Sequence, residues 1–463
     1  MPLRNWQDSP DAALFTDLYA FTMLQAYFQE GMEQTAVFDF FLRRLPQNWN
    51  YAIVCGVADV IDYLEDLSFS AESLDYLASL ELFSQEFLNY LADFCFAGDV
   101  YAMPEGTIAF PQEPLIEVAA PLPQAQLVET FLINQLHFQT LMASKAARVL
   151  HAAKDATVVD FGTRRAHGTD AAIRGARAFH VAGVAATSNV LAGKRYGIPV
   201  RGTMAHSYIQ AHTDEFEAMR QFAALYSDTV LLVDTYDTLA GVRKVAALAE
   251  AMGDAFSVRA IRLDSGDLGS LPHAARSILD DAGLQHVEIF ASNSLDEYAI
   301  AALAEQGAPI DGFGVGTRMS VSSDAPTIDC AYKLVEYDGR GRMKLAAGKT
   351  SLPGRKQVFR LRDESSFRSD VLAMADEHIP DAEPLLAPVM RNGKSLTTGR
   401  NDLSAARKRA RLQRQELPPR LQALETADPP YEVTVSKMLS SQSERLRAEL
   451  GGQGATDIPR NAP

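Results

Sequence analysis

The apolar positions of the chain change their period twice along its length. Leu14, Leu18, Phe21, Leu24 and Phe28 recur at helical spacing and Gly31 closes the run, so residues 12–30 predict a helix. Thr35 to Leu42 reads as a strand, residues 52–67 as a helix, and further helical segments follow to about Phe94. From Asp99 to Ala120 the texture turns to short β-like pieces broken by Pro104, Pro111 and Pro114. Proline confines such pieces to strand ends and sheet edges. One long amphipathic helix is predicted over 124–153.

A second regime then begins. Strand-like runs at 157–160, 199–201, 229–233, 258–263, 287–290 and 311–315 alternate with helical segments such as 214–226 and 237–252. Short β runs separated by helices imply parallel strands with right-handed crossovers, and six such units favour a barrel. After Pro326 the pattern reverts to β. Asp338-Gly-Arg-Gly marks a hairpin between 327–336 and 342–345, with another strand at 356–362, a charged helix over 401–424 and a strand remnant at 431–435. The expected division is therefore 1–122 as the N-terminal part of an α/β sandwich, 123–325 as a (β/α) barrel, 326–450 as the part completing the sandwich, and 451–463 as a flexible tail.

Composition narrows the function only a little. A net charge of −16 over 463 residues argues against nucleic acid or an anionic membrane as the main partner. Cys55, Cys95 and Cys330 are scattered, which fits a reducing compartment and offers no metal framework. No window resembles a membrane span and no apolar leader precedes Asp11, so a cytoplasmic protein is expected.

The chemistry gathers at the strand ends, where an α/β fold presents residues to ligands. After 199–201 comes Gly202-Thr203-Met-Ala-His206-Ser, with one imidazole able to take up and return charge near neutral pH. A lone histidine is more often just a bonded loop residue, so its neighbours must carry the case. Asp160-Phe161-Gly-Thr-Arg164-Arg offers an aromatic face and two cations suited to phosphate or carboxylate, although core packing and solvated surface are the commoner fates of such residues. Ser188 and Asn189 precede a helix; capping suits Asn189, and Ser188 is left open. Asp234 stands where it could orient His206, while Asp237 is expected to cap a helix. Arg262 and Asp264 alternate on one face of a strand, either aimed at a ligand or joined as a structural ion pair. Ser292-Asn293 and Gly316-Thr317 end the last two units, the latter where a glycine-rich turn brings backbone N–H groups to a phosphate.

Taken together, Asp160-Phe-Gly-Thr-Arg-Arg, Gly202-Thr-Met-Ala-His-Ser, Arg262-Leu-Asp-Ser-Gly-Asp, Gly314-Val-Gly-Thr, Gly348-Lys-Thr-Ser-Leu-Pro-Gly-Arg-Lys-Gln-Val-Phe-Arg and the early Thr16-Asp-Leu-Tyr19 resemble the nicotinate phosphoribosyltransferases. The resemblance runs from about residue 12 to 362. It implies the irregular (β/α) barrel of type II phosphoribosyltransferases with an α+β sandwich built from both chain ends. It implies a homodimer with shared active sites that joins nicotinate to phosphoribosyl pyrophosphate, with Mg²⁺ and with ATP as co-substrate.

By the same resemblance His206 is transiently phosphorylated and Asp234 orients it. Phe161 and the partner subunit's Tyr19 sandwich the pyridine ring. Arg262, helped by Thr203, takes the nicotinate carboxylate, and Asp264 takes ribose hydroxyls or the Mg²⁺ of the donor. Arg164, Ser292, Asn293, Gly316 and Thr317 hold phosphates. Ser188 stands where a nicotinamide-specific relative carries an aspartate, which favours nicotinate. Ala346 departs from the serine common in relatives, and residues 366–463 match no motif. Alternatives are a nicotinamide-specific enzyme, a sugar-phosphate isomerase or aldolase, and a non-catalytic nicotinate sensor.

Overall fold

The computed structural model describes residues 11–345, 351–398 and 402–454. Ala346 and the Gly348-Lys349-Thr350 part of the last motif lie outside the described residues, as does most of the expected tail. The chain divides into two units, one made of residues 1–141 and 327–463 and the other of residues 142–326. The division falls inside the helix Glu129–Ala153 rather than near residue 122. The predicted single helix over 124–153 is in fact two, Leu122–Leu127 and Glu129–Ala153, separated at Val128.

The first unit interleaves both ends of the chain. Strand Thr35–Arg44 pairs antiparallel with Pro114–Pro121 on one side and with Asp329–Tyr337 on the other, at the heart of a seven-stranded sheet. Asp338 and Gly339 both take positive φ, the backbone of a tight two-residue hairpin turn. The returning arm is only Arg340–Gly341, shorter and earlier than the expected 342–345. A four-stranded sheet is built around Lys356–Asp363 and Ser366–Met374. Buried carboxylates join the two sheets: Lys356 Nζ lies 2.9 Å from Asp39, and Arg355 donates to Glu117 at 2.8 Å.

The second unit holds a six-stranded sheet, all of it parallel: β1 (Thr157–Asp160), β2 (Ala186–Thr187), β3 (Thr229–Leu232), β4 (Val258–Leu263), β5 (Glu288–Ser292) and β6 (Gly312–Val315). Their spatial order is β2-β1-β6-β5-β4-β3, and among the described residues the edge strands β2 and β3 do not pair, so the sheet is curled but not closed. The predicted strand at 199–201 survives as a single parallel bridge between Val200 and Thr187. The chain leaves the sheet after Arg201, because Gly202 begins the loop that carries His206. The strand role next to β1 falls to Ala186–Thr187 instead.

Alternation along the strands sorts the two faces. Leu231, Val233, Ile261, Leu263 and Ile289 pack outward in the cluster that also holds Val242, Val245 and Leu248 from α1 (Thr238–Met252). The inner face carries the small apolar set Val159, Ala186, Val230, Ala260 and Phe290, with Phe161 against it. That set is the floor on which the functional residues stand. Helix α1 begins where Asp237 accepts a hydrogen bond from Ala240 N–H at 2.7 Å, the expected cap.

Candidate active site

Strand β4 sets the centre. Val258, Ile261 and Leu263 are buried among the outer-face residues, which turns Ala260 and Arg262 inward. A guanidinium this far from water needs partners for its N–H groups, and two neighbouring segments and the end of its own strand supply them. Nε donates to Ser292 Oγ at 2.8 Å, Nη1 to Thr203 Oγ1 at 2.7 Å, and Nη2 to Asp264 Oδ1 at 2.6 Å. The ion pair that the strand alternation allowed is therefore made. The guanidinium carbon also lies 5.5 Å from the centre of the Phe161 ring.

Asp264 links this cation to the imidazole. Its Oδ1 also accepts from Ser292 Oγ, and its Oδ2 lies 3.5 Å from His206 Nε2. Burial alone would raise this carboxyl, but the hydrogen bond from Ser292 and the charge of Arg262 outweigh it and hold the group below the ordinary aspartate range. The other imidazole nitrogen, Nδ1, sits 3.1 Å from Thr235 Oγ1.

Asp234 does not make the contact expected of it. Its Oδ2 instead accepts from the Asp264 N–H at 2.8 Å and from the Ser265 hydroxyl at 2.6 Å, so it holds the turn after β4 in place. The side chain is committed to that turn by two short bonds, which leaves the next residue, Thr235, to meet His206. The signal was present in the sequence, since Thr235 lies one position away in the same strand-end motif.

These groups share one cavity of about 540 Å³. His206, Arg262, Asp264, Thr203, Phe161, Arg164 and Ser188 all line it, together with Thr163, Gly202, Met204, Ala205 and Ser207 from the same motifs, to which the sequence assigned no role, and Leu232, which lies outside them. Ser188 Oγ is 3.4 Å from Thr163 Oγ1, while Asn189 caps the helix Val190–Tyr196 through Ala192 N–H, as expected. Ser292 is tied to the cavity through Arg262 and Asp264 without lining it. Asn293 follows at φ +98° on the turn after β5. Gly316 follows β6 and Thr317 opens the short helix Thr317–Ser320; Gly316 has room for no more than a tight Cβ beside the Phe161 carbonyl, at 3.2 Å. Tyr19 belongs to the first unit, on the helix Leu18–Glu30, where its side chain is largely exposed.

A cup that pairs a fixed guanidinium with an aromatic face and an imidazole invites comparison with known proteins. The nicotinate phosphoribosyltransferase N-terminal domain matches residues 14–137, and the nicotinate phosphoribosyltransferase family matches residues 156–351. Nicotinate phosphoribosyltransferase pncB2 of Mycobacterium tuberculosis is 53% identical over 435 residues, 94% of each chain. The chain belongs to the nicotinate phosphoribosyltransferase family.

The nicotinate phosphoribosyltransferase of Bacillus subtilis is 43% identical over 383 residues, covering 81% of this chain and 78% of that protein. Human nicotinic acid phosphoribosyltransferase superposes with a TM-score of 0.83 at 27% identity, over 93% of this chain and 99% of that one. The mixed α/β architecture with a curled parallel sheet is thus that of the family. The family likeness covers both units, including the C-terminal segment in which no motif is apparent. No helix among the described residues is long and apolar enough to cross a membrane. No group of three or more His, Cys, Asp or Glu side chains among them is placed to hold a metal on its own.

Proposed function

We propose that this chain condenses nicotinate with 5-phosphoribosyl 1-pyrophosphate to give nicotinate mononucleotide and pyrophosphate, drives the reaction with ATP through a phosphohistidine at His206, and so serves NAD salvage. The observation that carries the reading is the convergence of Arg262, Phe161 and His206 on one cavity with Asp264 between cation and imidazole.

The guanidinium of Arg262 receives the carboxylate of nicotinate while the pyridine lies on Phe161, whose centre is 5.5 Å from that guanidinium. The ring nitrogen is then free to attack the ribose. Its lone pair forms the new bond to C1 as the C1–O bond to pyrophosphate breaks and that electron pair leaves with the pyrophosphate. The bond change passes through oxocarbenium character, so the leaving charge needs cationic and N–H partners. Arg164 and the strand-end groups Ser292, Asn293, Gly316 and Thr317 supply them. Mg²⁺ is held mainly by donor phosphates in sites that offer one or two carboxylates. Asp264 fits that part as the carboxylate facing the donor, so the lack of a cage of three protein ligands is no objection.

ATP transfers its γ-phosphoryl group to an imidazole nitrogen of His206 and departs as ADP. Water later releases phosphate and restores the imidazole. Thr235 and Asp264, one beside each ring nitrogen, hold the ring in place for both events. A homodimer completes the pyridine site with the partner subunit's Tyr19. A serine at position 188 can donate to a carboxylate, where an aspartate would repel it, which supports nicotinate over nicotinamide.

Mononucleotide formation with phosphoribosyl pyrophosphate and Mg²⁺ checks the reading. Nicotinate should be converted well and nicotinamide poorly, and ATP should raise the extent of conversion. Preference for nicotinamide, or conversion indifferent to ATP, would contradict it.

A further inference from the structure

Asp160 ends β1 and is buried at 2% exposure, yet no event above uses it. Its Oδ1 accepts from Gly162 N–H at 2.7 Å and its Oδ2 accepts from the Thr187 hydroxyl at 2.7 Å. The Thr187 oxygen in turn accepts from Asn189 N–H at 3.0 Å. One carboxylate thereby braces two loops. Residues 161–164 bring Phe161, Thr163 and Arg164 to the cavity, and residues 187–189 bring Ser188.

We propose that Asp160 is a positioning residue for the pyridine substrate, fixing the Phe161 ring relative to the Ser188 hydroxyl. The inference rests on the cavity being the nicotinate site. Its neighbours leave little freedom for another arrangement. Phe161 N–H is bonded to Val315 O at 2.9 Å and Ser188 N–H to Asp160 O at 2.8 Å, so the backbone ends of both loops are anchored. What the carboxylate adds is the pitch of each loop beyond those anchors. Gly162 has no room for a side chain, because a Cβ there would come within 2.6 Å of Ser320 Cβ and 3.1 Å of Asp160 Oδ1.

Removing the carboxylate leaves the Gly162 N–H buried without an acceptor and lets the Thr187 hydroxyl turn. An asparagine keeps most of the brace. Its Oδ1 accepts from Gly162 N–H, and its Nδ2 donates to the Thr187 oxygen, which has a second lone pair for Asn189.

Steady-state kinetics of the wild type, Asp160→Ala, Asp160→Asn and Thr187→Val, each checked for folding by thermal melting, test this. Asp160→Ala should raise the nicotinate KM roughly 10–100-fold and the phosphoribosyl pyrophosphate KM by clearly less, through Arg164 on the same loop. Its preference for nicotinate over nicotinamide should fall, and Asp160→Asn should recover most of both. Thr187→Val cuts only the arm toward Ser188, so it should erode the preference more than the KM. If Asp160→Ala does not fold, comparing Thr187→Val with Asp160→Asn settles the question.

An unchanged nicotinate KM and preference in folded Asp160→Ala or Thr187→Val overturns the inference. So does an equal loss in kcat and in both KM values, which is what a general structural defect gives. A wild type that makes no nicotinate mononucleotide would instead overturn the proposed function. An active wild type whose variants do not respond overturns this inference alone.

Discussion

Arg262 concentrates the physics of the site in one side chain. It is mostly buried, and its N–H groups reach Ser292, Thr203 and Asp264 on three separate segments of the chain. A guanidinium held this rigidly loses little freedom when it binds a carboxylate, which suits recognition of a small planar acid. Arg262→Ala should therefore raise the nicotinate KM by about two orders of magnitude, the cost of leaving a carboxylate unpaired in a partly buried site. ATP hydrolysis by the same variant should persist; measuring both rates on one preparation checks the claim, and an unchanged KM would remove Arg262 from substrate recognition. At this scale the sequence was informative about residue types and less so about contacts. Alternation in the strand placed Arg262 and Asp264 on one face. It could not tell that Asp234 turns toward the Asp264 backbone and the Ser265 hydroxyl while Thr235 meets the imidazole, because that choice depends on a turn of a few residues.

Among the elements, β6 shows how a strand with glycine at its inward positions serves a binding site. Gly312 and Gly314 face inward, and a Cβ on either would meet an aromatic ring, Phe290 at 2.6 Å or Phe161 at 2.5 Å. The glycines make room for the ring that faces the cavity. Gly314→Ala should displace Phe161 and weaken nicotinate binding at least tenfold, since aromatic contact depends on ring position. Calorimetric titration of nicotinate into folded variant and wild type reads this directly, and equal affinity would show that the ring tolerates the methyl. Helix and strand periods made five of the six parallel strands legible, with ends one residue adrift at most of them and two at the carboxyl end of β5. They missed β2, because a two-residue strand has no period to detect. They overextended 199–201, where a glycine ends the pairing. The long helix broke at Val128 without any proline or glycine to announce it.

Across the whole molecule, each unit has its own core, and the first is knitted from both ends of the chain, as where Ala36 pairs with Tyr337. The alternating regime after residue 153 and the return to β after Pro326 made that plan visible in the sequence. The division within the helix Glu129–Ala153 was not visible, since a continuous amphipathic helix gives no sign of which unit each half serves. Stability of the first unit carries a pH signature. Burial pushes the Asp39 carboxyl up to about 6, with Lys356 opposing the shift. The folded chain then binds more protons than the unfolded one between about pH 4 and 6, so Asp39's contribution to stability falls as pH rises through that window. Asp39→Asn should remove this slope while shifting Tm by a constant offset from the lost Lys356 pair. Melting curves from pH 4 to 7 check it, and parallel pH dependence in the two proteins would contradict it.

The account as a whole stands on His206 and Arg262 serving one reaction from one cup. Incubation with γ-labelled ATP, followed by acid and base treatment of the denatured protein, tests that most directly. The predicted result is a label lost in acid and stable in base, absent from His206→Ala and retained by Arg262→Ala. A label that survives His206→Ala, or no label from a wild type that still forms mononucleotide with ATP, would contradict it.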